Sequence, residues 1–202
     1  MTYTNIPLDT FQSIQNNAGM IVDTFDPTTR EFGDQLFATD GGIKFTVTPT
    51  FIDNGDGIDN CPKNMAGMKQ LLYFEAKLSG TRVTHTATAI KRDLAAADVA
   101  STGDVETITP RTKLNLEDFE DLWWIGDYSD ADGGFYAIHI MNALSTAGMT
   151  LTTKNEGKSG SSFEYVAHYT TEDQDKVPFE VILCKTGTAN AMAMNADYYD
   201  ED

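Results

Sequence analysis

Basic residues are scarce in this chain: 14 lysines and arginines stand against 31 acids, a formal net charge of −17. A surface that holds nucleic acid by its phosphates needs clustered cations, so this balance argues against nucleic-acid binding. It argues equally against docking on an anionic membrane. No apolar run approaches the length of a membrane span, and no basic and apolar leader pattern is visible. Cysteine is scarcer still. Cys61 and Cys184 cannot staple a domain of 202 residues; a disulfide between them is left open, and Cys184, in an apolar strand, reads as an inert buried thiol. The three histidines, His85, His139 and His168, each stand alone in strand-like segments. Without a His-Glu-x-x-His or paired-cysteine spacing, a zinc site is not expected. There is no Gly-x-Ser-x-Gly elbow. Gly157-Lys158-Ser159 lacks the upstream glycine of a phosphate loop and reads as a hairpin turn. No metal, cofactor or catalytic residue is expected.

What the chain does have is strand signal. Hydrophobic residues make up 41% of it, enough to bury a core. Met20 to Val22 is a short apolar run. Residues 43–48 and 73–78 alternate apolar with polar, the period of a sheet with one wet face. Val83 to Ala89 reads as the next strand, turned at Ser79-Gly80-Thr81. Lys91 to Ala100, rich in alanine, predicts a helix with Asp93 as N-cap and a stop at Ser101-Thr102-Gly103. Residues 121–128 and 135–141 predict a hairpin, as do 149–153 and 162–170. Residues 177–184 form the last strand, at an edge position because of Pro178. The sum is mainly β: a two-sheet β-sandwich or barrel with one flanking helix over residues 18–188. Residues 1–17 form an N-terminal arm, in which Leu8, Phe11 and Ile14 fit either a helical turn or an arm docked on something else. Residues 189–202 are an acidic C-terminal extension.

Two features are less ordinary. A long insert, about 51–70, separates two strands and is full of turn formers; connections of this length are more often functional than not. Its run from Asp53 to Asp59 has a calcium-like look, but acids do not recur at alternate positions and Asn64 stands where a bidentate glutamate should be. Second, no lysine or arginine occurs between Lys113 and Lys154, a stretch holding Glu117, Asp118, Glu120, Asp121, Asp127, Asp130 and Asp132. It reads either as a solvated acidic face or as a surface that repels a polyanion.

Several strings carry a family resemblance. Residues 123–129 (WWIGDYS) and 133–145 (GGFYAIHIMNALS), then 164–169 (EYVAHY), Gln174-Asp175 and 177–181 (VPFEV), resemble the major tail protein of long, non-contractile-tailed bacteriophages of Gram-positive hosts. So do Asn17-Ala18-Gly19 with Val22-Asp23, and 58–64 (IDNCPKN) in the insert. The resemblance covers nearly the whole chain and is weakest over 101–112. It implies a tail tube fold, two packed sheets with a helix beside them. It implies hexameric rings that stack into a tube for genome ejection, in a virion assembled in the host cytoplasm, where thiols stay reduced. The implied partners are further copies of the chain, the tail tip, tape measure and tail terminator proteins, and viral DNA in transient, non-specific passage. The insert would be the ring-stacking loop, with Asp53, Asp56, Asp59, Asn60, Pro62, Lys63 and Asn64 as contact residues. Lys44, Thr46, Glu75, Lys77 and Glu164 would line the channel, expected to be acidic.

Two other classes stand beside this one. A receptor- or carbohydrate-binding β-sandwich would use Trp123 and Trp124 as exposed platforms rather than as core. A hydrolase would need a carboxylate pair that nothing in the sequence singles out.

Overall fold

The computed structural model describes Thr10, residues 14–128 and residues 134–184. Alternating apolar and polar runs between glycine- and aspartate-rich turns fold into strands, because alternation lets a strand bury one face and wet the other. In chain order they are β1 (Met20–Val22), β2 (Gln35–Phe37), β3 (Thr39–Asp53), β4 (Lys69–Arg82), helix α1 (Ala87–Asp93), β5 (Ala97–Thr102), β6 (Val105–Pro110), β7 (Glu120–Asp127), β8 (Phe135–Ser145), β9 (Thr150–Thr152), β10 (Gly160–Val166) and β11 (Phe179–Cys184). The fold is mainly β and antiparallel, with one α-helix among the described residues.

The strands make two layers. One runs β2-β1-β7-β8-β11; the other runs β3-β4-β10 with β9 beyond β10. β8 belongs to both. Its residues 135–140 pair with β11, while Leu144 and Ser145 pair with β10. Between these parts sits Asn142, at φ 50°, where the pairing with β7 slips register. Asparagine tolerates that region, and Asp121 Oδ1 accepts its N–H at 2.9 Å. The result is a bulge at the point where β8 passes from one layer to the other.

The main core lies between the layers and is built on Ile21, Phe37, Leu78, Leu122, Phe163 and Tyr165. A second cluster, with Val22, Trp123, Ile125 and Phe135, lies on the other side of the first layer. Phe25, from the loop after β1, covers it edge-on to Trp123 and Phe135 at 5.5 and 5.3 Å. β7 is thus buried on both faces, which is why Leu122 to Ile125 is apolar without alternation. Beneath α1, Arg82 Nη2 lies 2.8 Å from Asp93 Oδ2 with both side chains fully buried. Tyr165 Oη donates to Asp93 at 2.8 Å. Burial pushes the Asp93 carboxyl above its usual range, opposed by Tyr165 and Arg82, and also pushes the Tyr165 hydroxyl up.

The structure corrects four sequence expectations, the first being the strand over Val83 to Ala89, which is a connection leading into the first turn of α1. β4 runs unbroken through Ser79-Gly80-Thr81; Gly80 is there for close approach, since a Cβ would lie 2.9 Å from the Phe163 ring. The helix is Ala87–Asp93, not 91–100. Thr86 caps it by accepting the Ala89 N–H, Ala95 ends it at φ 63°, and Ala97 and Ala100 beyond pair in the β5–β6 hairpin. Asp93 is therefore the last helical residue and a buried ion-pair partner, not a cap. Finally, the insert is shorter than expected, because β3 runs on to Asp53 and β4 begins at Lys69. The predicted β7–β8 and β9–β10 hairpins and the edge position of β11 are present.

Candidate assembly surface

The β3–β4 hairpin is longer than the sheet that supports it. Its register runs from Thr39↔Arg82 to Asp53↔Lys69, but β10 pairs with β4 only from Lys77 to Arg82. The far half is a two-stranded arm. It carries Phe51, Ile52, Leu71, Leu72 and Tyr73 exposed, with Ile58, Met65 and Met68 exposed in the loop. A two-stranded ribbon whose edges are both unpaired among the described residues is marginal alone, and exposed apolar clusters of this kind mark interaction sites.

The loop at its tip is held by its own hydrogen bonds. Asp53 at its base accepts the Gly55 N–H at 3.0 Å and the Asn64 N–H at 3.1 Å. Asn64 Oδ1 accepts from Lys69 Nζ at 3.3 Å. Asn60 and Asn64 adopt φ of 60° and 63°. Asp56, Asp59, Asn60, Pro62, Lys63 and Asn64 are exposed, and Lys63 meets Asp56 at 3.9 Å in water. Among the described residues no cluster of three metal-ligating side chains forms, and the Asp53 carboxylate already serves two backbone donors. Both cysteines are free: Cys61 in this loop, and Cys184 at the end of β11, where Arg30 Nη2 donates to its sulfur at 3.7 Å.

All five expected channel residues fall on one face of the second layer. Lys44 and Thr46 alternate on β3 with the core-packed Ile43, Phe45 and Val47. Thr46 stands opposite Lys77, Thr48 opposite Glu75, and Lys44 opposite Ser79, which also pairs with Glu164. Directly opposed residues point to the same side, so these side chains share the wet face. Lys77 Nζ lies 2.6 Å from Glu75 Oε1; that carboxylate holds the ammonium above its usual range, with Glu164 adding to it. Two lysines and two glutamates balance among hydroxyls. The expected acidic lining is therefore not what these residues form.

The acid-rich stretch is mostly engaged internally. Asp118 takes Arg111 Nη2 at 2.5 Å, Glu120 pairs with Arg92, Asp127 accepts from Asn17 at 2.7 Å, and Asp121 meets His139 Nε2 at 3.1 Å. The Asp121 carboxyl is held below its usual range by His139 and by the Asn142 N–H. Asp130 and Asp132 lie outside the described residues. His139 is a hydrogen-bonded sheet histidine, stacked on Trp123 at 3.9 Å. Trp123 and Trp124 are 8% and 5% exposed, and Trp124 Nε1 donates to Ala18 at 2.9 Å. The sugar platforms of a carbohydrate-binding module are thus absent at the two tryptophans.

Of the arm residues, Leu8 and Phe11 lie outside the described residues, as does the 189–202 extension. Ile14 is exposed, next to Gln15, which bridges to Tyr128. Sequence reasoning chose the polar residues of the insert and passed over its apolar flank. The run Leu71-Leu72-Tyr73 beside a long insert was the available signal.

No family model matches the chain, and no curated protein matches it. Among solved structures it is similar to a chain of the virion of a native gene transfer agent particle, at 13% identity, covering 78% of this chain and 96% of that one, with a TM-score of 0.40. It is similar in the same proportions to a chain of the tail of an empty gene transfer agent particle computed with C6 symmetry, with a TM-score of 0.42.

Proposed function

We propose that this chain is a structural subunit of a bacteriophage tail: a tube protein whose six-membered rings stack through the β3–β4 arm, leaving a channel for the viral genome. The role is mechanical, and no step in it is catalytic. The observation that carries the reading is the arm, two open-edged strands with apolar side chains held out beyond the sheet, which a solitary molecule leaves in water. The resemblance of the 123–145 and 58–64 strings points the same way. Partners follow from the same reading: further copies of the chain, with tail tip, tape measure and terminator proteins at the ends of the tube.

The second layer fits this use. It is four strands wide: β3, β4, β10, and then β9 with the end of β8. The outer edge of β3 is unpaired among the described residues, so a neighbour can extend the sheet there. Six copies would close a barrel of about 24 strands. At about 4.8 Å spacing and roughly 45° tilt, its backbone diameter is about 50 Å. The wet face would line it, and the core face would pack on the first layer. Negative-stain microscopy of the purified protein at high concentration, with and without tail-tip complex, tests the reading. Rings or tubes are expected; solitary particles under both conditions would overturn it.

A further inference from the structure

The wet face of the second layer holds two cations, and a channel for a polyanion has to deal with them. Lys44 projects from β3 without an ion pair among the described residues, whereas Lys77 does not stand alone. Glu75 lies two residues earlier on the same strand, so alternation puts both on one face, with Nζ and Oε1 2.6 Å apart. Glu164 on β10 adds a second negative charge to the same neighbourhood. The Lys77 and Glu75 side chains are 37% and 44% exposed, and surface pairs of this kind add little to stability. Charge is where the pair matters. A lysine bound to a carboxylate presents a dipole to a passing phosphate, while a free one releases counterions and grips it.

We propose that Glu75 is a charge-masking residue: it neutralises Lys77 on the face that meets DNA, so the duplex slides past a ring of lysines that would otherwise hold it. The proposal rests on the tail-tube reading. It differs from repulsion by an acidic wall, because one of the two cations on this face, Lys77, is cancelled locally. Removing the mask, without adding a lysine, should make the channel hold DNA more tightly than Lys44 alone does.

Two measurements separate this from the reading beneath it. In the first, wild-type, Glu75→Gln and Glu75→Gln/Lys77→Gln proteins are assembled with a fluorescent DNA duplex, imaged, sedimented and washed. Wild-type tubes should hold the duplex weakly in low salt, through Lys44 alone. The Glu75→Gln tubes should retain about tenfold more and release it as salt rises, and the double variant should behave as wild type. Tubes of Glu75→Gln that release DNA like wild type overturn the masking proposal and leave the tube reading intact. Failure of all three to form tubes overturns the tube reading, and with it the transit role.

The second measurement needs no assembly. Acylation of the soluble chain, mapped by mass spectrometry, should label Lys77 several-fold more slowly than Lys44. Glu75→Gln should remove that difference. Equal labelling in the wild type means that Lys77 is unmasked, and overturns the proposal whatever the protein assembles into.

Discussion

Arg82 and Asp93 show how much one buried pair organises. They join β4 to α1, and Tyr165 adds β10. Exchanging a buried ion pair for apolar residues is often tolerated, but removing one partner leaves an uncompensated charge and costs about 3–5 kcal/mol. Asp93→Asn should therefore lower unfolding free energy by about that much in denaturant titrations, while Arg82→Met/Asp93→Leu should recover most of it. Asp121 is a different case. His139 and the Asn142 N–H hold its carboxyl below its usual range. A depressed acid contributes stability that is present above its unfolded value and is lost as pH falls through its folded value. Thermal unfolding followed from about pH 5 down to pH 2 should show a shallower loss for Asp121→Asn than for wild type, with the variant less stable at neutral pH.

The elements reveal which parts of the molecule were legible beforehand. The β7–β8 hairpin was readable because aromatic and β-branched residues crowd both strands around a glycine-rich turn. The second layer was readable because Lys44, Thr46, Glu75 and Lys77 alternate strictly with core residues. Helix α1 was misplaced because local alanine content favours 91–100, while the pairing of β5 with β6 and the burial of Asp93 are decided by residues far along the chain. Gly80 looked like a turn and is a packing contact, which no local pattern announces. The arm is the element on which the proposed assembly depends most. Its apolar residues touch little of their own chain, so Phe51→Ser/Leu72→Ser should leave the unfolding midpoint of the soluble protein within about 0.5 kcal/mol of wild type. The same variant should form no stacked tubes under conditions where wild type does, as read by sedimentation and microscopy. A loss of fold instead of a loss of stacking would show that the arm is structural.

For the molecule as a whole, the organising fact is asymmetry of satisfaction. Between the layers, aromatic and aliphatic side chains fill a core, and the first layer's outer face is covered again by Phe25. Among the described residues, the second layer keeps one face wet, one edge unpaired and one hairpin overhanging. Net charge says little about that layer: −17 belongs to the chain, and four acids of the stretch without basic residues lie on or beside β7 in the first layer, bound to partners there. A hydroxyl-rich face of mixed charge and an apolar overhang fit the proposed ring-forming subunit, the one turned to cargo and the other to a neighbouring ring. A reconstruction of assembled particles by electron cryo-microscopy tests this most directly. It should show the β3 edge continued by a second copy into a barrel about 50 Å across, with residues 51–73 seated on the adjoining ring. Particles in which the β3 edge and that arm face solvent would contradict it.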